Sequence, residues 1–314
     1  MMGDSSPRGR RWIAAALHLD PDDGVMPGTR MPLRALHAIL VGELALGGVS
    51  QMRRCGEEAV LLSRSGDLTV RSAAETLLGQ ALWLSGDPAR AEPHLRLGEE
   101  TGAAAHCLMQ VTAMGLQALA LADQDRWNEA RDNVEAGLAR FAEAELRWAP
   151  PHFPLLLAEL RIHAHDRGSD VEALTREVAQ FIRCPGMGTF PVITSQVMVA
   201  EALADFGDVE GAARWVRGGR ATLETYPDAG MLGPRLLRLR DLLEERHLAA
   251  PLTTTERRIL ETLPSELSEK ELAGRLLVSP ETVHSHVAAI YRKLDVHDRS
   301  EAVQKARRLR LLGN

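Results

Sequence analysis

A pattern that returns at intervals near forty residues limits what this chain can become. A small or apolar residue is followed three positions later by an apolar one and seven later by Gly or Asp. Ala stands twelve positions on, and another apolar residue sixteen on. Gly79, Leu82, Gly86, Ala91 and Leu95 carry the pattern. Ala118, Leu121, Asp125, Ala130 and Val134 repeat it 39 residues later, and Ala200, Leu203, Gly207, Ala212 and Val216 repeat it again. Weaker copies fall around Leu40 and Gly47, and around Ala164, Gly168, Ala173 and Val178. Apolar spacings of three and four mark helices. Gly or Asp between them tolerates the left-handed backbone of a tight turn. Each unit therefore reads as helix, turn, helix, and no period-two run competes as a strand. A single such pair cannot bury its apolar face, so the units must stack.

These units resemble tetratricopeptide repeats, with a period longer than the usual ~34 residues and few of the consensus Trp and Tyr residues. The resemblance implies an all-α, TPR-like solenoid over residues 31–247, with a concave face. That face is expected to sense an unknown ligand or protein; a passive spacer is the plainer reading. Aromatic residues are only 4% of the chain, which argues against a deep pocket for a planar ligand. Loop breaks are expected at Trp148–Pro151 and Cys184–Pro191. Residues 1–30, rich in Gly, Pro, Asp and Ser, are expected to be poorly ordered apart from a short helix at Trp12–Leu17. A last helix, Pro234–His247, leads to a hinge at Ala249–Pro251.

Downstream the pattern changes. Ser268 and Glu271 have the spacing of a capping box, with Leu272, Ala273 and Leu276 at helical intervals behind them. Ser279, Pro280 and Glu281 then supply an N-cap, a proline at the first helical position and an acid in the first turn. Val283, Val287, Ile290 and Leu294 form one apolar stripe. Opposite it, Ser285, Ala288, Ala289 and Arg292 point away, flanked by His284, Tyr291 and Lys293. The face is small, polar and partly basic, and it suits the second helix of a helix-turn-helix in a DNA major groove. Periodicity alone favours the plainer reading of an amphipathic helix with a solvated face.

The order of residues adds more. Leu252, Thr253, Glu256, Ile259 and Leu260, then Leu267 to Ala273, then Val278 to Val287, then Ile290 to Leu294 and Val296, then Arg299 to Val303, resemble the LuxR-type helix-turn-helix domain throughout Leu252–Leu312. The tail from Glu301 to Leu309 is most similar to the MalT group of large ATP-binding LuxR-type regulators. The resemblance implies a four-helix domain over residues 248–314, DNA binding through Ser279–Lys293, and dimers on DNA. It assigns Lys270, Thr282, His284, Ser285, Ala288, Arg292 and Lys293 to the DNA-binding face. His284 stands where relatives usually carry Lys or Arg, and Ala288 where they often carry a basic or polar residue; base specificity rests on these departures. On the helix Asp298–Leu312, Ala302, Ala306 and Leu309 are expected to face the core, and Gln304, Arg308 and Leu311 to offer a two-fold contact.

The charge balance agrees. Residues 252–314 hold 11 Lys+Arg against 9 Asp+Glu, a net +2, while the rest holds 26 against 34, a net −8. All three lysines, Lys270, Lys293 and Lys305, lie in the C-terminal part. Cys55, Cys107 and Cys184 are few and scattered, as expected of a cytoplasmic protein. The Arg10–Arg11 pair precedes too short an apolar run for an export signal, and no run approaches the ~20 residues of a membrane span. There is no GxxxxGK[ST] phosphate loop, so the ATPase of the large regulators is not expected in this sequence. His163 and His165, like His284 and His286, are two apart and diverge on a helix, which makes poor metal pairs; His286 reads as structural. No enzymatic activity, cofactor or metal is expected. The expected partners are double-stranded DNA, RNA polymerase, a second copy on DNA and an unknown effector at the repeats. The alternative is a repeat scaffold with weak or no sequence-specific DNA binding.

Overall fold

A computed structural model describes residues 24–25, 31–64, 67–143, 152–183, 189–226, 228–249, 252–264, 267–276, 278–294, 296–308 and 311–312. The expectations for Trp12–Leu17 and Trp148–Pro151 lie outside these residues. Among the described residues there are fifteen helices and no strand. The chain divides into two compact units, Met1–Arg240 and Asp241–Asn314.

The first unit holds five helix pairs. They are α1 (Leu33–Leu44) with α2 (Gly48–Leu62), α3 (Leu68–Leu84) with α4 (Pro88–Ala104), α5 (Met109–Ala122) with α6 (Trp127–Glu143), α7 (Phe153–His165) with α8 (Val171–Phe181), and α9 (Thr189–Phe206) with α10 (Val209–Leu223). The helix α11 (Leu232–Ala249) follows, starting two residues before and ending two beyond the expected Pro234–His247. Ala249 is thus helical rather than part of a hinge. Pro191 is likewise not in a loop but in the first turn of α9, where a proline is tolerated.

First and second helices differ in kind. In α5 the run from Ala113 to Ala122 is buried on every side, and α3 and α7 are nearly so. Such all-round apolarity fits helices that stack in a core: α1, α3, α5, α7 and α9 each pack on the next. The second helices bury one stripe only, as with Ala130, Val134, Gly137 and Phe141 in α6. At Gly115 a Cβ would lie 2.4 Å from the Leu155 backbone nitrogen, so α5 and α7 can approach this closely only because that side chain is absent.

Four of the turns share one geometry, and one copy departs from the expected pattern. Gly86, Asp125, Arg167 and Gly207 have φ of 87°, 59°, 54° and 105°. After each helix the amide of Asp87, Arg126, Gly168 or Asp208 donates to the carbonyl five residues back, on Leu82, Leu121, His163 or Leu203. This is the bond that closes a helix through a left-handed residue. In the fourth pair the left-handed residue is Arg167, not Gly168, and Asp170 stands three residues later instead of one. Two residues are inserted, so Leu174 is buried where the pattern placed Ala173, which is exposed. Val178 holds its expected place.

The end of the unit returns to its beginning. The Tyr226 hydroxyl donates to the Ala45 carbonyl at 2.5 Å, 181 residues away in sequence. Asp228 accepts from the first amides of α2: its carbonyl from Val49 at 3.0 Å and its carboxylate from Ser50 at 2.8 Å. The Met231 amide donates to Leu84 at the end of α3, at 2.7 Å. From α11, Arg235 reaches Asp123 at 2.7 Å and also pairs with Glu201. Asp123 further accepts from Arg161 at 2.6 Å and from the Trp83 indole at 2.7 Å. The segment after the last pair thus joins the first, and the ends of α3 and α5 meet a cluster of buried charge.

Candidate nucleic-acid interface

The second unit contains α12 (Thr254–Thr262), α13 (Glu269–Leu276), α14 (Pro280–Leu294) and α15 (Arg299–Arg308). Each begins on the residue its sequence announces. Thr253 and Glu256 form a complete capping box. In the second box the Ser268 amide donates to Glu271 at 2.8 Å and the Glu271 amide returns to Ser268 Oγ at 3.4 Å. At α15 the Glu301 amide donates to Asp298 at 2.8 Å, but the Glu301 carboxylate accepts from His297 rather than from Asp298. Ser279 caps α14, accepting from the Thr282 amide at 3.2 Å.

The stripe of α14 lies in the core. Val283, Val287, Ile290 and Leu294 are at most 5% exposed, and they pack with Ile259, Leu260, Leu272, Ala302 and Ala306. This fixes the helix's rotation and turns its other side outward. His284, Ser285, Ala288 and Arg292 are exposed there, with Thr282 half-buried at the start. The Ser285 hydroxyl donates back to the Glu281 carbonyl at 2.9 Å. Glu281, in the first turn, is held below the usual carboxylate range by its own backbone amide and by the Ser279 hydroxyl. Lys270 is exposed on a different helix, in the first turn of α13.

Lys293 is placed otherwise. Its amine donates to Glu256 at 2.7 Å, and its side chain is 19% exposed. Burial would raise the Glu256 carboxyl, but the bonds from Lys293 and Thr253 hold it below the usual range. One carboxylate thus caps α12 and ties α14 to it. Arg299, which sequence reasoning left without a role, braces the same core: it donates to the carbonyls of Leu263 at 2.8 Å and Leu267 at 2.7 Å. No local signal could have found either contact, because the partners lie 32 to 37 residues apart. Leu311 does not face outward with Gln304; it packs against the core, because α15 ends at Arg308 and the Leu311 amide folds back onto the Ala306 carbonyl at 2.9 Å. Arg308 and Leu309 side chains lie outside what the structure describes.

Among the described residues no group of three or more His, Cys, Asp or Glu side chains could hold a metal. None of their helices is long and apolar enough to cross a membrane.

Comparison with known proteins places this unit. Residues 250–306 match the family of bacterial regulatory proteins, luxR family. An HTH-type transcriptional regulator of Mycobacterium tuberculosis is 25% identical over 285 residues, covering 86% of this chain and 30% of that protein. The NarL transcriptional regulatory protein of the same organism is 42% identical over 73 residues, covering 22% of this chain and 34% of its own. The MalT regulator of Serratia proteamaculans is 40% identical over 60 residues, 19% of this chain and 7% of its own. No solved structure matches the chain. The chain spans about a third or less of the length of these relatives. Its C-terminal unit carries a LuxR-type helix-turn-helix domain.

Proposed function

We propose that this chain is a DNA-binding transcriptional regulator that lays α14 in the major groove and is controlled through its helical repeats. The observation that carries the reading is the division of α14 into a stripe sealed in the core and an outer face of His284, Ser285, Ala288 and Arg292. Small side chains in the middle of that face permit close approach to base edges, and Arg292 supplies a permanent cation at its end. Thr282, Ser285 and Lys270 complete the contact set, with Lys293 serving mainly to hold the helix in place. The helix-turn-helix regulators among its relatives support the same reading. The protein works in the cytoplasm, binds DNA as a homodimer through exposed parts of α15 such as Gln304, engages RNA polymerase, and takes its effector at the repeat unit.

Fluorescence anisotropy with the duplex upstream of the protein's own gene tests this. Arg292→Ala is expected to weaken binding by roughly tenfold or more, the scale of one lost base or phosphate contact. That loss should be equal at every pH. Absence of saturable binding by the unaltered protein would overturn the proposal.

A further inference from the structure

Two helices of the repeat core carry almost no charge, yet each ends in an acid that meets the same arginine. α5 has no charged residue, and Asp123 stands directly after it. α9 has none before Glu201. The guanidinium of Arg235 lies between these two carboxylates. Its Nη1 and Nη2 donate to Asp123 at 2.7 and 3.0 Å. Its Nε donates to Glu201 at 2.6 Å, and Nη2 donates to Glu201 as well. Arg161 at 2.6 Å and the Trp83 indole at 2.7 Å hold Asp123 in place. The four charged side chains are between 8% and 17% exposed, so little water competes for them.

Such a cluster is a poor source of stability, because apolar residues of the same volume often hold a fold as well as a buried ion pair does. It is well made for recognising a guanidinium, whose planar fork matches a carboxylate on each edge. Host and guest are also separate elements. Trp83, Asp123, Arg161 and Glu201 belong to four different helix pairs, whereas Arg235 belongs to α11, outside the pairs. α11 crosses the pairs rather than joining one: a Cβ at Gly219 of α10 would press on Leu236 at 3.0 Å, while Arg235 reaches the ends of α5 and α9. Without Arg235, Asp123 would keep Arg161 and Trp83, and Glu201 would face the vacated place. α11 runs on past Arg240, where the repeat unit ends, to Ala249.

We infer that the Asp123–Glu201 clamp is the effector site, that Arg235 fills it as an internal ligand, and that the effector is a small alkylguanidinium that takes its place and frees α11. The inference rests on the reading above that the repeat unit takes an effector, and it names the chemistry of that effector. An alkylammonium is a poor substitute, since a point charge cannot fork onto two carboxylates. In the unaltered protein the ligand must displace Arg235, so its apparent affinity falls with the fraction of molecules whose clamp is open.

The test titrates the full chain with ethylguanidinium, and with ethylammonium at equal ionic strength, by isothermal calorimetry and by anisotropy on the duplex used above. Arg235→Ala should bind ethylguanidinium roughly tenfold or more tighter than it binds ethylammonium, and tighter than the unaltered chain does by a similar factor. Adding Glu201→Gln should remove that preference. In the unaltered chain, which needs no substitution to fold, saturating ethylguanidinium should shift DNA affinity about threefold or more while ethylammonium does not. Arg235→Ala should shift it in the same direction without ligand, with helicity by circular dichroism retained. Equal responses to the two cations would overturn the inference. So would binding to Arg235→Ala alone, with no binding to the unaltered chain and no effect on its DNA affinity, which would mark a structural ion pair. The pentapeptide Ala-Ala-Arg-Ala-Ala should not compete at a place this buried; binding as tight as that of ethylguanidinium would assign the clamp to a protein's arginine and overturn the small-ligand assignment. If the unaltered protein binds no duplex, the proposed function falls, and selective calorimetric binding by the unaltered chain still judges the clamp.

Discussion

At the residue scale, Lys293 and Asp123 show how a side chain's neighbours decide its work. Lys293 sits in a basic turn of α14, yet its amine is committed to Glu256, a carboxylate that already caps another helix. Lys293→Ala should therefore destabilise the C-terminal unit by about 1–3 kcal/mol, the cost of leaving a partly buried charge unpaired. Lys270→Ala should alter DNA affinity and leave stability unchanged; urea melts and anisotropy on the same variants check both. Asp123 gathers Arg161, Arg235 and Trp83. Burial alone would raise its carboxyl, but the two guanidiniums, by charge and hydrogen bonding, bring it below the usual range. A depressed carboxylate contributes stability that is present above the unfolded value near 3.9 and is lost as pH falls through the lower folded value. Asp123→Ala should cost about 3–5 kcal/mol at neutral pH, because it leaves the buried Arg161 without its carboxylate, while Arg235 keeps Glu201. It should also remove part of the protein's acid lability below pH ~4. Equal acid sensitivity in the variant and the original would refute this account.

At the element scale, the fragment Asp241–Asn314 should fold alone. Its helices carry their own caps, and Leu252, Ile259, Val283, Ile290 and Ala302 share one closed core. A cooperative helical melt by circular dichroism is expected, and a fragment lacking helical signal would contradict it. The elements were largely legible in the sequence because their determinants are local. Ser279 and Pro280 start α14, and its buried stripe is the one the spacing of Val283 and Val287 announces. The Gly86, Asp125 and Gly207 turns were readable for the same reason. The fourth pair was misread by one residue, since a two-residue insertion moves the left-handed turn to Arg167, a residue type with no preference for it. The grip of Lys293 on Glu256 and of Arg235 on Glu201 was invisible. Both depend on tertiary approach, and an arginine gives no sequence signal of which acid it will meet.

At the scale of the whole molecule, the repeat unit joins its own beginning to its end. Asp228 serves as the missing cap of α2, whose preceding Gly47 offers no side chain to cap it. Asp228→Ala should cost about 1 kcal/mol or more, as lost helix caps do. It should also broaden thermal unfolding of the full chain, because the first pair then frays separately from the rest; a calorimetric transition of unchanged width would count against this. An open array of helix pairs gains or loses units freely, since each touches only its neighbours. Here the Tyr226 and Asp228 contacts with the α1–α2 turn demand a fixed distance around the inside. A duplicated or deleted pair would pull that suture apart. The copy number is therefore under mechanical constraint: adding or removing a pair breaks the contacts that join the unit's ends.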